Sequence, residues 1–320
     1  MTPSYHPSVS PRTQSVAQGS RQTDGSLARS VERLPPQSFF LVSAVFHYLG
    51  PSLAVLLFAS VDVLGVAWLR IASAATVFAL WRRPWRVVAR LDRGGRWTLA
   101  WLGVVLAAMN SLFYLAVDRL PLSTVGAIEF LGTVLLAAAG ARTRRNAVAL
   151  ALTVLGVAAI TEVRLAGAPL GFAFAFANCA LFMCYVILGH RVATTSDGAA
   201  MGGIDRLGAS MLVAGVVATP IGLGGALPAF AHPMLLLAGV GVGVCSSVVP
   251  YVTDQLTMAR LPRATFALML ALLPVFATVI GAIVLRQLPT GQDLLGIALV
   301  VAGVALHQAA PATRSRKQAA

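Results

Sequence analysis

The sequence predicts an all-α membrane protein with ten transmembrane helices, arranged as two inverted repeats of five helices each. Three observations carry that prediction: the composition, the spacing of the apolar runs and the distribution of arginine. Of 320 residues, 58% are hydrophobic and only 11% are charged, and the mean hydropathy is +0.80. A soluble domain carries about 25% charged residues, because charged side chains cover its surface. The composition therefore excludes a soluble globular domain, a disordered chain and a disulfide scaffold.

Ten apolar runs are long enough to be membrane-crossing helices. A helix crosses the hydrocarbon core in about 20 residues, each adding about 1.5 Å. The predicted spans are residues 38–60, 64–81, 97–116, 121–140, 147–163, 168–189, 207–225, 233–253, 264–285 and 292–308. The flanking segments, 1–37 and 310–320, are polar, and we expect them to be disordered cytoplasmic tails. The first of them lacks the pattern of a signal peptide.

The arginines test the number of spans independently of hydropathy. With both chain ends in the cytoplasm, ten spans place twenty of the 24 Lys and Arg residues inside and leave Arg70, Arg119, Arg164 and Arg286 outside. Cytoplasmic loops carry such an excess of basic residues, and anionic lipid attracts them. The arginines therefore orient the chain in an inner (plasma) membrane, and they account for the net charge of +13 without a nucleic-acid-binding surface.

A weak repeat relates the two halves of the chain. Arg119-Leu120-Pro121 recurs 141 residues later as Arg260-Leu261-Pro262, and Leu155-Gly156 matches Leu295-Gly296 after a slip of one residue. Both copies of the Arg-Leu-Pro motif join the third and fourth spans of a half. Ten spans then divide as five plus five.

An odd number of spans in each repeat reverses the orientation of the second repeat. We therefore expect a first repeat over residues 38–164 and an inverted second repeat over 165–309. Inverted repeats are typical of secondary transporters, in which two similar halves rock around a central site.

Several stretches resemble EamA-type transporters of the drug/metabolite transporter superfamily, most closely the threonine/homoserine exporter subgroup. The matching stretches lie between residues 38 and 308 and are Trp68-Leu69-Arg70-Ile71-Ala72, Met109-Asn110-Ser111-Leu112-Phe113-Tyr114-Leu115-Ala116, Arg119-Leu120-Pro121-Leu122, Ala127-Ile128-Glu129-Phe130-Leu131-Gly132, Pro169-Leu170-Gly171, Tyr185-Val186-Ile187-Leu188-Gly189 and Ser246-Ser247-Val248-Val249-Pro250-Tyr251. The resemblance implies export of a small amino acid by alternating access.

Four positions depart from the family pattern. Thr133 stands where the family has Pro, and Leu273 stands where its Ser-Leu-Glu-Pro motif has Glu. Gln287 replaces the Glu of a Leu-Gly-Glu motif, and Asp254 stands where Glu often follows Pro-Tyr. The two lost carboxylates bear on the substrate and the coupling ion, whereas the resemblance still implies the same fold.

Glu129 is the first candidate for a binding or coupling site. It lies about nine residues into the fourth span, close to the middle of the membrane. A charge there costs about 2.5–3.5 kcal/mol on insertion scales, so the residue needs a reason to be present. Glu129 either binds the substrate ammonium or a proton, or is a structural carboxylate bonded to a neighbouring helix.

Four further candidates lie on two spans that the repeat relates. Asn110 and Tyr114 share one face of the third span, and adding the repeat offset to Asn110 leads to Tyr251 in the eighth span. Tyr251 shares a face with Asp254, which we expect near the cytoplasmic end of its helix, where water is close. These groups either line a site on the repeat axis or hydrogen-bond the helices together.

Arg70 is the sixth candidate, near the outer end of the second span. It either snorkels to lipid headgroups, attracts a substrate carboxylate or pairs with an acid such as Asp62. His47, alone in an apolar helix, is expected to be buried and hydrogen-bonded, and Tyr185 is expected to be a packing residue.

The sequence favours a secondary transporter with a small-molecule substrate, embedded in lipid and driven by the proton gradient. Export of a threonine- or homoserine-like amino acid follows from the resemblance, whereas import of another small metabolite or a passive channel would suit the same residues. A membrane-embedded enzyme would need a catalytic cluster, and the sequence shows none. No cofactor or metal is expected, and a homodimer is left open.

Overall fold

The computed structural model describes residues 34–138, 143–161, 169–194, 200–270 and 272–306, which are helical and contain no strand. These ranges hold thirteen α-helices and one π-helix. They are α1 Pro36–Leu57, α2 Val63–Arg82, α3 Trp85–Arg90, α4 Arg93–Val117, α5 Leu122–Ala138, α6 Arg144–Thr161, α7 Pro169–Thr194, α8 Ala200–Ala231, α9 Pro233–Gly243, the π-helix Val244–Val248, α10 Val249–Met258, α11 Arg263–Leu270, α12 Leu273–Val284 and α13 Gly291–Leu306.

Six helical segments of the described chain are long and apolar enough to cross a membrane. They are Pro36–Leu57, Val63–Arg82, Arg93–Val117, Pro169–Thr194, Gly202–Ala231 and the continuous Pro233–Met258. Leu273–Val284 and Gly291–Gly303 are shorter apolar helices. The prediction of an all-α, multi-span membrane protein is thus confirmed. The count of ten spans stays a prediction.

The first two predicted spans are separate helices because a side chain caps the second one. The Asp62 Oδ1 accepts hydrogen bonds from the backbone N–H of Leu64 at 2.9 Å and of Gly65 at 3.3 Å. A capping carboxylate satisfies N–H groups that have no partner within the helix. α1 therefore ends at Leu57 and α2 begins at Val63.

The short helix α3 was not predicted. Arg83, with a left-handed φ of 48°, ends α2, and α3 then runs from Trp85 to Arg90. Trp81, Trp85, Trp97 and Trp101 are all more than half exposed around it. Tryptophan and arginine are enriched where membrane meets water, so α3 has the composition of an interfacial helix.

The helices pair across the two halves of the chain. α2 packs along α8, α6 along α13, and α5 against α11 and α12. α4 packs against α7 and α8, while α1 packs against α10, the π-helix and α12, and α2 against α9. Glycines make the closest crossings, since a Cβ at Gly65 would overlap the backbone of Gly225, and one at Gly156 would lie 2.6 Å from the Gly296 carbonyl oxygen.

The π-helix Val244–Val248 frees a backbone acceptor near the middle of the bundle. Pro250 follows it and has no N–H, so it cannot bond the carbonyl of Ser246, four residues earlier. That carbonyl accepts a side-chain hydrogen bond instead, as described below. Single-turn π-bulges frequently mark functional sites.

Candidate functional site

A small buried cavity lies where α1, α2, α4, α5, α7 and α10 meet. Its volume of about 10 Å³ is close to the space needed for one water molecule. The lining residues are His47, Pro51, Arg70, Met109, Asn110, Phe113, Glu129, Asn178 and Tyr251. Four of the six predicted site residues therefore line one cavity: Arg70, Asn110, Glu129 and Tyr251.

Glu129 is buried on α5, with 2% of its surface exposed. Its Oε1 accepts a hydrogen bond from the Asn178 Nδ2 on α7 at 2.9 Å. Its Oε2 lies 3.9 Å from the His47 Nε2 on α1 and has no hydrogen-bond partner in the described part of the chain. The carboxylate thus faces two other helices with one oxygen still unpaired.

Arg70 is also buried, with 5% of its surface exposed. Its Nη2 donates to the Ser246 carbonyl oxygen at 2.8 Å, the acceptor that Pro250 leaves free, and its Nε donates to the Ser247 Oγ at 2.9 Å. The guanidinium lies over the Tyr114 ring, 5.4 Å from its centre. Arg70 therefore points into the bundle rather than to lipid headgroups.

The Arg70–Asp62 pair considered from the sequence does not form. Asp62 caps α2 instead, about two turns before Arg70 along the helix.

Asn110 and Tyr251 contact each other directly across the two halves. The Asn110 Nδ2 lies 3.1 Å from the Tyr251 Oη, and the Asn110 Oδ1 lies 3.2 Å from the same hydroxyl. The two residues are 141 positions apart, which is the offset of the sequence repeat.

Tyr114 does not line the cavity. It supports Arg70 with its ring, and its hydroxyl has no hydrogen-bond partner among the residues described.

Asp254 lies outside this cavity in a cluster of its own. Its Oδ1 accepts from the Ser43 Oγ at 2.5 Å and its Oδ2 from the Tyr185 Oη at 3.0 Å. Asp254 is 0% exposed, so the expectation that it lies close to water is wrong. The reason is tertiary, since side chains of α1 and α7 cover it. Tyr185, expected to be only a packing residue, is its hydrogen-bond donor.

The structure adds residues to the site that the sequence analysis did not propose as site residues. Asn178 binds Glu129, Ser246 and Ser247 bind Arg70, and His47 lies beside Glu129. A single Asn or Ser in an apolar run carries no spacing signal. The Ser-Ser pair immediately before Val-Val-Pro-Tyr was the one hint available, because it belongs to a stretch that resembles the family.

His47 was expected to be buried and hydrogen-bonded. It is buried, at 8% exposure, but its Nδ1 has no partner within the described ranges. Unpaired atoms on His47, Glu129 and Asn178 surround the same cavity. Buried polar atoms without partners are rare in proteins, and their concentration here makes this cavity the candidate binding site.

The cavity brings together an arginine and a carboxylate inside an apolar bundle. Ionisable residues within membrane helices are costly, face the bundle interior and mark substrate pathways. No cluster of three or more His, Cys, Asp or Glu residues suited to a metal occurs in the described ranges. A multi-span helical bundle with a buried polar site of this kind is a membrane transport protein.

Comparison with known proteins gives the family. No family model matches the chain. The threonine/homoserine exporter RhtA of Salmonella typhimurium (strain SL1344) and that of Escherichia coli (strain K12) are each 30% identical to it over 283 residues, covering 85% of this chain and 92% of the relative. A solved crystal structure shares the fold with a TM-score of 0.56 and 20% identity, covering 84% of this chain and 96% of that chain.

The chain belongs to the EamA/drug-metabolite transporter superfamily, in its threonine/homoserine exporter subgroup. Its relatives are named as exporters and not as enzymes. The family resemblance drawn from the sequence motifs is thereby confirmed.

Proposed function

We propose that this protein exports a small neutral amino acid of the threonine or homoserine class, with Arg70 binding the carboxylate and Glu129 the ammonium. The observation that carries the proposal is that these two buried side chains of opposite charge line one cavity. An amino acid carries the same two charges on two groups bonded to its α-carbon. The relatives with 30% identity are named for threonine and homoserine.

The unpaired atoms of the site suit an ammonium group. The Glu129 Oε2 and the Asn178 Oδ1 are buried acceptors without donors in the described structure. An unsatisfied buried acceptor costs about 1–3 kcal/mol, and an ammonium, which has three donors, removes that cost. Arg70 uses Nε and Nη2 in the protein, while a guanidinium has five N–H donors in all.

A hydroxyl on the substrate side chain would meet the Asn110–Tyr251 pair. Both residues line the cavity, and both can donate and accept hydrogen bonds. A site built to bind a hydroxyl rejects substrates that lack one, because its own polar groups are then left unpaired. We therefore assign preference for hydroxy amino acids to Asn110 and Tyr251.

The cavity must enlarge during transport, since about 10 Å³ holds one water molecule at most. We propose alternating access by two inverted repeats of five spans, residues 38–164 and 165–309, which gives ten spans in total. The helix pairing supports this arrangement. Apart from the short helix α3, the helix pairs that join the halves have counterparts. The pair α4–α7 corresponds to α10–α1, and the pairs α2–α8 and α6–α13 are their own counterparts.

Two contacts between repeat-related residues also support the inverted repeat. Asn110 bonds Tyr251, 141 positions away, and Gly156 packs on Gly296, 140 positions away. Two residues related by a two-fold axis contact each other only when both lie close to that axis. These contacts support a candidate site on the pseudo-symmetry axis of the proposed repeat.

We assign the coupling role to Asp254 and the drive to the proton gradient. Asp254 is buried, lies outside the substrate cavity, and joins α10 to α1 through Ser43 and to α7 through Tyr185. A change of charge there would alter the contacts of three helices at once. The arginine distribution further supports an inner membrane location with both chain ends in the cytoplasm.

The test is export of labelled threonine from cells or proteoliposomes by the Glu129→Gln variant. Loss of a charged hydrogen-bonding group costs about 1.5–3 kcal/mol, which corresponds to roughly a 10- to 150-fold loss of affinity. We expect Asp118→Asn to transport normally, since Asp118 lies in a turn and pairs with Arg119. Normal export by Glu129→Gln contradicts the assigned role, and uphill export that resists an uncoupler contradicts proton coupling.

A further inference from the structure

A second cavity lies at one end of the bundle, between α5, α12 and the start of α13. It encloses about 290 Å³, compared with about 10 Å³ for the central cavity. Gln287 and Thr290 at its rim are exposed, whereas Thr124 and Thr278 are 5% and 8% exposed. This outer cavity is therefore a funnel that leads from the surface into the bundle.

The lining of the outer cavity is polar but contains no basic side chain among the residues described. Ser123, Thr124, Thr278 and Thr290 contribute hydroxyl groups. The one carboxylate, Asp293, is engaged locally, because its Oδ2 accepts from the Thr290 N–H at 2.7 Å and from the Thr290 Oγ1 at 2.9 Å. Such a surface solvates a zwitterion without holding it by opposite charges.

One face of α5 connects the outer cavity to the central one. Ser123 lines the outer cavity and Glu129 lines the central cavity, and Gly126 lies midway between them. Residues three apart on a helix are neighbours on one face. Only the surroundings of Gly126 therefore separate the two cavities along this face.

The layer at Gly126 is formed by Tyr48 and Ala277. A Cβ at Gly126 would lie 2.7 Å from the Tyr48 Oη and 3.2 Å from the Ala277 Cβ. Ala277 lines the outer cavity, and His47, next to Tyr48, lines the central cavity. The Tyr48 ring thus packs against a glycine and an alanine, close to residues that line the two cavities.

The Tyr48 hydroxyl faces the central site. It is fully buried, lies beside the Glu129 carboxylate and makes no hydrogen bond of normal geometry within the described structure. The end of the ring therefore lies between Glu129 on the central side and Ala277 on the outer side.

We propose that the outer cavity is the exit vestibule of the transport pathway, a transit site for a small zwitterion, and that the Tyr48 ring is the gate that closes it at Gly126 and Ala277. The proposal rests on the function proposed above, since it gives the substrate of that site its way out. The charged central site binds the amino acid strongly, whereas the hydroxyl groups of the outer cavity hold it weakly. A substrate can leave a pathway only through sites that bind it weakly. The position of the outer cavity at one end of the bundle also supports an exit. α5 begins after Arg119 and α12 ends before Arg286, and the proposed ten spans put both arginines on the outer side, which is poor in arginine.

The first test uses cysteine accessibility from outside intact cells, with a charged, membrane-impermeant methanethiosulfonate reagent. The background lacks the three native cysteines, Cys179, Cys184 and Cys245. We expect Thr278→Cys to react from outside, whereas Thr98→Cys, which lines a cavity beside Arg191 and Arg206, reacts only in inside-out vesicles. The reverse pattern would overturn the proposal.

The second test measures the gate with a cysteine in the central cavity, Met109→Cys. A minor conformation, such as the open state of a closed gate, is populated at about 0.1–10%. A variant whose gate is always open should therefore label Met109→Cys about tenfold faster or more. We expect this rise in Tyr48→Ala and in Tyr48→Leu, the second of which keeps apolar volume if the first fails to fold. Tyr48→Phe, which keeps the ring, should leave Met109→Cys protected.

Phe78→Leu is the matched control, because Phe78 is equally buried but packs on Gly208 of α8, away from both cavities. It should leave the labelling rate unchanged. Equal rates in the Tyr48→Leu and Phe78→Leu backgrounds contradict the gate. Labelling needs no substrate, so the two proposals can fail separately. If the labelling pattern fails while export still depends on Glu129, the vestibule and gate are wrong and the proposed function stands. If the labelling pattern is as expected but the protein exports no amino acid, the proposed function is wrong.

Discussion

The position of Arg70 depends on a proline that is distant in the sequence, Pro250. Pro250, which follows the π-helix Val244–Val248, lacks an N–H and cannot bond the Ser246 carbonyl four residues earlier. The Arg70 Nη2 bonds that carbonyl instead, at 2.8 Å. The Ser247 hydroxyl and the Tyr114 ring fix the rest of the guanidinium. The cationic side chain is held in place before any substrate arrives, which lowers the cost of binding.

At this scale we expect Arg70→Lys to impair export strongly even though the charge is kept. An ammonium is a point charge without the planar fork, so it cannot bond Ser246, Ser247 and a carboxylate together. Loss of charged hydrogen bonds of about 1.5–3 kcal/mol should raise the KM for threonine about tenfold or more. The measurement is the concentration dependence of transport in proteoliposomes.

Arg82→Lys is the control for this experiment, on the same helix α2. Arg82 pairs with Asp205, with 21% of each side chain exposed, and lines neither of the two cavities. Its KM should therefore stay within a few-fold of the parent. An unchanged KM in Arg70→Lys would show that the guanidinium does not contact the substrate.

Among the helices, the crossing of α2 and α8 is the tightest element contact. Gly65 leaves no space for a side chain, since a Cβ there would overlap the Gly225 backbone. Small residues allow membrane helices to approach closely and pack by van der Waals contact. This crossing holds the helix that carries Arg70 against the second half of the chain.

We expect Gly65→Ala to destabilise the folded protein by about 1–3 kcal/mol, because overpacking forces the backbones apart. The measurement is the Tm of the purified protein in detergent. Gly224→Ala on α8 has nothing within 4 Å of the added Cβ, so it should leave the Tm unchanged or slightly higher, since Ala favours helix over Gly. Equal Tm values for the two variants would be incompatible with this crossing.

For the whole molecule, the arginine distribution and the proposed ten spans together predict the orientation in the membrane. Twenty of the 24 basic residues lie on one side in that arrangement, and the basic residues of loops set the orientation of the whole chain. The proposed exit vestibule is then expected on the opposite, extracellular side.

The prediction is that tags at the two chain ends are both cytoplasmic. Protease should remove an N-terminal and a C-terminal tag from inside-out vesicles and leave both intact in right-side-out vesicles. A tag in the turn at Asp118 and Arg119 should show the reverse pattern and serves as the control. Chain ends on opposite sides would imply an odd number of spans and rule out the inverted repeat.

Much of the fold was predictable, because hydropathy is a local sum that needs no knowledge of neighbours. Composition predicted the membrane class, and most apolar runs predicted helices close to their observed bounds. The run 207–225 belongs to a longer helix, Ala200–Ala231, and the run 264–285 forms two helices, Arg263–Leu270 and Leu273–Val284. The repeat offset relates Asn110 to Tyr251, and these two residues are in contact. The break between the first two spans was predicted as well, whereas the Asp62 cap that begins the second helix was seen only in the structure.

The tertiary structure alone decided which polar groups share a cavity. Glu129 and Arg70 were candidates from their cost in lipid, but their convergence, the arrival of His47 and Asn178, and the burial of Asp254 under Ser43 and Tyr185 left no trace in spacing. The physical reason is that lipid is as apolar as the bundle interior. Membrane helices are apolar on every side, so the sequence fixes where each helix crosses but not which face meets which neighbour.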